Sequence, residues 1–300
     1  MKSVKKIDIH AHANAFPEYS PSFVAGNNRD VTAEDVIEYY DKLNIEKGIL
    51  LPVIAPEAHV NIKTSSECKY LSDKYPERFL WFCSVDPRMV DNTETADLGK
   101  LIEFYKSIGA KGIGELCANM YADHPKMDNL FYHCAKCNMP VTIHIASAFD
   151  RQYGIVDDLG LPRIEKMLKK HPDLKLFGHS MMFWSEISGD NNDAIRGNYP
   201  YGKVKKGGRL IYLMREYGNL YCDLSAGSGA NAMMRDREFA AGFFEEFADR
   251  IMYGCDLCIP GQTFAYDFDA FLDGMVEDGL LSMENYKKIV RENAIRIIGL

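Results

Sequence analysis

Eight short apolar or β-branched runs recur along the chain, separated by amphipathic segments of helical length. That alternation limits the fold more than any other feature of the sequence. The runs are KKIDIHAHA (5–13), KGILLPV (47–53), FLWFCSVDP (79–87), AKGIGELCA (110–118), PVTIHIA (140–146), LKLFGHS (174–180), NLYCDLSA (219–226) and RIMYGCDL (250–257). Between them, TAEDVIEYYDKLN opens with Thr32 as an N-cap and Asp35 as its acidic partner at the third helical position. TSSECKYLSDKY (64–75) stops at Pro76, and TADLGKLIEFYKSIG (95–109) ends on Lys106 and Gly109. Strand followed by helix, eight times over, predicts an α/β fold: a single (β/α)8 TIM barrel. A doubly wound open sheet is the alternative. No Gly-, Pro- or Ser-rich linker, low-complexity tract or compositional break interrupts the 300 residues, so residues 1–300 are read as one domain.

Two connections are long, residues 13–31 after the first predicted strand and 181–208 after the sixth. Both leave strand C-termini, the end at which barrels build their sites, and long loops in a compact domain usually serve function.

The polar residues fall at those same ends. In a strand, side chains two apart share a face. IDIHAHA therefore points His10 and His12 in one direction, with Asp8 behind them. The fourth predicted strand ends in Glu115, the fifth in His144, the sixth in His179, the seventh in Asp223 and Ser225, and the eighth in Asp256. Four of the eight histidines of the chain and several carboxylates would then meet at one mouth. Unpaired carboxylates gathered around a dry cavity repel one another, and a cation is the natural compensation. Imidazole and carboxylate together suit zinc first, with manganese or iron as alternatives. The remaining histidines, His59, His124, His133 and His171, sit in helical or loop segments and are read as surface or satisfied side chains.

Composition excludes other classes. The net charge of −8 gives no global attraction to nucleic acid or to an anionic membrane. Lys203, Lys205, Lys206 and Arg209 form a local basic run, read first as a solvated loop and otherwise as an attraction for a carboxylate or phosphate. No long apolar h-region follows the N-terminal lysines and no apolar run reaches membrane-spanning length, so a cytoplasmic protein is expected. Eight cysteines without a secretory signal are read as small buried hydrophobes, Cys258 included, rather than as disulfides. The pairs Cys134/Cys137 and Cys255/Cys258 leave a four-thiolate zinc site as a remote alternative. A homodimer is in keeping with a large barrel surface, although no residue argues for one.

The order HxH, His, His, Asp along strands one, five, six and eight resembles the amidohydrolase superfamily. The pieces that carry it are IDIHAHA, TIHIA, LFGHS and YGCD, and the ending ENAIRIIGL resembles the closure of the last helix in the amidohydrolase-related branch. That branch includes aromatic-acid decarboxylases and many metal-dependent hydrolases, and the resemblance spans nearly the whole chain. It implies a metal held by His10, His12, His144 and Asp256, with His179 bonding the water or the substrate. Binuclear members often carry a carboxylated lysine on strand four. Here Lys111 lies at the start of that strand and Glu115 at its mouth, which resembles the TatD-like nucleases, where a glutamate serves two metals. In that version Glu115 bridges while His144 and His179 hold a second ion; Glu115 as a residue that only orients a ligand histidine stays open.

The expected chemistry is metal-assisted hydrolysis of an amide, ester, lactone or phosphoester of a small molecule. Asp256 would serve as ligand and base, and a neutral His179 would polarise the substrate. Non-oxidative decarboxylation of an aromatic or unsaturated acid is the main alternative, and a barrel that binds metal without turnover the third. Substrate choice falls to the loops. Trp184 is read either as an aromatic wall or as packing on the barrel rim. Ser225, with Ser228 and Asn231 in DLSAGSGAN, is read either as part of an anion seat or as a plain turn.

Overall fold

Strands form where the apolar runs lie, each shorter than its run. In the computed structural model, which describes residues 4–20, 30–57, 62–149 and 152–300, β1 is Lys6–Ala11, β2 Ile45–Leu50, β3 Phe79–Trp81 and β4 Ile113–Leu116. Then come β5 Val141–Ala146, β6 Leu176–His179, β7 Leu220–Asp223 and β8 Ile251–Met252. Every neighbouring pair is parallel, and spatial order follows chain order within β1–β3 and within β4–β8. Backbone hydrogen bonds span both seams. Cys83 N donates to Gly112 O (2.9 Å) and Gly114 N to Cys83 O (3.0 Å), beside β3 and β4. Ile9 N donates to Tyr253 O (3.1 Å) and Asp256 N to His10 O (2.8 Å), between the first and last strands. The architecture is the expected TIM barrel. All six residues of β1 are buried, as a strand with helices on one side and a filled interior on the other requires.

Local sequence explains the helices. Thr32 and Asp35 form a reciprocal capping box at the start of Ala33–Leu43, and Thr64 and Glu67 form another at Ser65–Lys74. Val36, Tyr39, Tyr40 and Leu43 recur at helical spacing and form the buried stripe of the first. Ile7, Ile9, Ile49, Phe82, Phe177 and Met252 pack with Ala294, Ile297 and Ile298, tying the last helical segment to the barrel.

Four features differ from the sequence reading, the first a two-residue strand, Ile155–Val156, that pairs parallel with β5. DLSAGSGAN is not a plain turn: Ala226–Met234 is a helix whose small residues allow close packing, since a Cβ on Gly229 would stand 2.4 Å from Leu224 O. A further helix, Phe264–Glu277, follows the last strand. The connection after β6 begins with a helical turn, Met181–Trp184, and a 3-10 turn, Ser185–Ile187, before running irregularly to Gly208. Of the connection after β1, residues 21–29 lie outside the described residues. Among the described residues, no helix is long and apolar enough to cross a membrane.

Candidate metal centre

Period-two alternation places Asp8, His10 and His12 on one side of β1. Asp8 is fully buried and anchors the strand. Its Oδ1 accepts from His10 N and from Cys255 N (2.9 Å each), and its Oδ2 accepts from the Tyr40 hydroxyl (2.8 Å). Burial pushes its carboxyl up to about 6.

Each β1 histidine has one ring nitrogen already committed. His10 Nδ1 lies 2.6 Å from Asp223 Oδ2, and His12 Nδ1 donates to Leu51 O at 2.9 Å. Both rings therefore turn Nε2 inward, as metal-binding imidazoles do. The two Nε2 atoms stand 3.1 Å apart. With both Nδ1 protons engaged, two neutral rings would aim lone pairs at each other, and a proton or a cation must lie between them. Burial opposes charge on His10, but Asp223 and Asp256 outweigh it and hold its pKa well above the usual imidazole range.

Two carboxylates close the group. Glu115 Oε2 lies 3.5 Å from His12 Nε2 and 3.8 Å from His10 Nε2. Asp256 Oδ1 lies 3.4 Å from His12 Nε2 and 3.8 Å from His10 Nε2. Asp256 has a left-handed backbone (φ 52°), a conformation Asp tolerates better than most residues. Against burial, the neighbouring histidines hold both carboxyls below their usual range. Donors bonded to one ion at about 2.0–2.2 Å sit about 3.0–3.6 Å from their neighbours. The separations of 3.1–3.8 Å here cover that window and run slightly past it; His10, His12 and Glu115 form one group able to hold an ion, and His10, His179 and Asp256 form another.

The other oxygen of Glu115 faces a different pair. Oε1 lies 2.5 Å from His144 Nδ1 and 3.8 Å from His179 Nε2. These three residues form a second group able to hold an ion, although the 2.5 Å contact is a hydrogen bond as it stands. His144 thus stands with Glu115 and His179, not in the group formed by His10, His12 and Glu115. The Tyr153 ring covers His144, centroids 4.1 Å apart. His179 Nδ1 meets Ser225 Oγ at 2.9 Å. Burial and the adjacent His10 push His179 down to about 4, leaving it neutral.

The amidohydrolase family model matches residues 7–300 of the sequence. The chain belongs to the amidohydrolase family. No curated protein sequence matches it. Among solved structures, this amidohydrolase-family chain is similar to an uncharacterised TIM-barrel protein of Bordetella bronchiseptica (TM-score 0.67, 15% identity, 99% of each chain covered). It is also similar to a 5-carboxyvanillate decarboxylase of Novosphingobium aromaticivorans with bound manganese and 3-methoxy-4-hydroxy-5-nitrobenzoic acid (TM-score 0.60, 17% identity, 100% of this chain and 98% of that one). A third is a probable 2-pyrone-4,6-dicarboxylic acid hydrolase of Acinetobacter baumannii with citric acid bound (TM-score 0.59, 14% identity, 99% and 100%).

The six residues singled out from this family member's sequence, His10, His12, Glu115, His144, His179 and Asp256, all converge at the mouth. Ser225 joins them through His179. Trp184 is 2% exposed and donates from Nε1 to Asp223 O (3.0 Å). It does not line the cavity of about 440 Å³ beside Asp256, whose walls include Tyr199, Asn231, Gln262 and Phe264. It does line a small pocket on the other side of Tyr199, with Ser228 and Arg235. All eight cysteines are free, and none belongs to the three candidate metal groups among the described residues. Cys258 departs from its reading as buried: it is exposed, and its Sγ lies 3.2 Å from Asp256 Oδ1. Local acids occupy two of the basic loop residues, Lys203 with Glu238 and Arg209 with Glu165. His171 pairs with Asp128, and His124 caps the helix Pro125–Lys136. His59 lies outside the described residues.

Sequence reasoning placed Asp223 at the mouth but not against His10, and it gave no role to Tyr153 or to the Leu51 carbonyl. Asp8 was legible through alternation; the other contacts join elements far apart in sequence and leave no local pattern.

Proposed function

We propose that the chain is a divalent-metal-dependent hydrolase acting on a small aromatic or unsaturated molecule. One observation carries the reading above the others: Asp256 Oδ2 stands 3.6 Å from His179 Nε2, beside an open cavity. His10, His12, Glu115 and Asp256 would hold the ion, and His144 and His179 with Glu115 are the candidates for a second. A cation held there supplies Lewis acidity that activates water and polarises a substrate oxygen.

The chain's own groups do the rest. Asp256, kept ionised by His10, His12 and His179, accepts the proton of the attacking water and returns it to the leaving group. With a single ion bound, and the Ser225 hydroxyl donating to Nδ1, the proton of the neutral His179 ring sits on Nε2, ready to bond the developing oxyanion. Asp223 and Leu51 O fix the two β1 imidazoles. Tyr199 and Phe264 give the cavity aromatic walls for a planar ring, and Asn231 and Gln262 give it polar contacts. The proposed partner is a small molecule, since a net charge of −8 disfavours nucleic acid. Zinc and manganese both suit the donor set, and the manganese in the 5-carboxyvanillate decarboxylase puts it beside zinc as an ion to test.

Likeness to that decarboxylase favours a second reading, loss of carbon dioxide from an aromatic acid, with a proton delivered to the ring carbon by a mouth residue. Elemental analysis and a panel of lactones, esters, phosphoesters and hydroxybenzoates in oxygen-18 water separate the two. Hydrolysis puts the label into product; decarboxylation releases carbon dioxide and leaves the organic product unlabelled. A protein that binds no divalent ion and turns over none of the panel would sink both readings.

A further inference from the structure

Next to the cavity lies an arginine whose Nε and Nη2 have no hydrogen-bonded partner, although Asp190 and Asp236 act on its charge from further off. Arg235 Nε and Nη2 are buried and have no hydrogen-bond partner, and neither has Ser228 Oγ, whose residue is 4% exposed. Both side chains line one small pocket with Trp184, Ser185, Tyr199 and Asn231. Tyr199 and Asn231 also line the cavity that reaches Asp256, so the two spaces share a wall.

The acids nearest to Arg235 are engaged elsewhere. Asp236 caps its helix by accepting from Phe239 N and also accepts from Val204 N, and Asp190 Oδ1 accepts the Ser188 hydroxyl. Among the described residues, none forms an ion pair with Arg235. Arg235 is half-buried, but the Nε–Nη2 edge of its guanidinium is buried without acceptors; leaving those N–H groups unmet is costly, and an anion would meet them.

The free atoms also have the right geometry. Nε and Nη2 share one edge of the guanidinium, the fork that meets a carboxylate side-on. Elsewhere in this chain the same atom pair does so: Arg215 Nε and Nη2 lie 2.6 and 2.9 Å from the two carboxylate oxygens of Glu246, and Arg88 makes the same approach to Asp86.

We propose that Arg235, Ser228 and Asn231 form the seat for a carboxylate carried by the substrate, on the far side of Tyr199 from the metal centre. The proposal rests on the hydrolase reading only in taking the cavity beside Asp256 as the substrate site. At about 10 Å³ the pocket now has room for one water. Tyr199, 45% exposed on an irregular segment, is the wall that must turn aside for a carboxylate to enter.

Benzoate and benzamide have the same shape and differ in charge. Titration calorimetry on the full-length protein with its metal is expected to show benzoate bound at least tenfold tighter than benzamide. Arg235→Gln should abolish that preference, Arg235→Lys should retain part of it, and Ser228→Ala should weaken benzoate by a few fold. Thermal melts confirm that each variant is folded, and elemental analysis that Arg235→Gln keeps the wild-type metal. Equal affinity for the two probes in the wild type, or benzoate binding unchanged in Arg235→Gln, overturns the proposal. Absence of metal from the wild type would count against the hydrolase reading alone, because the charge preference is still measurable.

Discussion

Asp223 Oδ2 and His10 Nδ1 stand 2.6 Å apart, and neither side chain has any exposure to solvent. The carboxylate fixes the ring and makes its inward nitrogen a better donor. Asp223→Asn keeps the shape and an acceptor but loses the charge. Metal affinity is expected to fall about 10- to 100-fold, with little change in fold. Competition against a chelator measures it, and wild-type affinity would show that His10 needs no such support.

Gly254 is the narrow point behind this pair. A Cβ there would lie 2.7 Å from Ser225 Cβ, 2.9 Å from Asp223 Oδ1 and 3.3 Å from His10 Cβ. Gly254→Ala is expected to cost about 1–3 kcal/mol by overpacking, and to lower metal content by shifting Asp223 off His10. Guanidinium melts with and without chelator test both effects.

Trp184→Phe removes the bond from Nε1 to Asp223 O but preserves most of the packing. A loss of about 1–2 kcal/mol in stability is expected, with metal content unchanged. A fall in substrate affinity while stability held would show instead that Trp184 acts through the pocket it lines with Arg235.

Asp157 sets a pH dependence away from the metal centre. It is fully buried at the start of the helix Pro162–Lys170, and accepts from the backbone N–H groups of Asp158, Arg163 and Ile164. Burial pushes its carboxyl up to about 6. An acid whose pKa is higher folded than unfolded binds more protons in the native state between the two values. Its contribution is therefore full at low pH and is lost as pH rises from about 4 towards 6. Asp157→Asn should flatten that part of the stability curve, as read from melts at stepped pH. Equal slopes for the two proteins would show that the three N–H groups already offset the burial.

The eightfold alternation, the capping box at Thr32, and the location of His10, His12, Glu115, His144, His179 and Asp256 at strand ends were determined by sequence alone. These are properties of period and of local backbone chemistry, so a linear reading reaches them. Only the tertiary structure decided which nitrogen each histidine turns inward, because Asp223 and the Leu51 carbonyl approach their rings from other strands. It also split the two oxygens of Glu115 between two groups of histidines, buried Trp184 beneath Asp223, and left Arg235 without a partner beside the cavity. Each of those outcomes depends on distances between segments 29 to 213 residues apart in the chain. Such distances exist only once the barrel has closed.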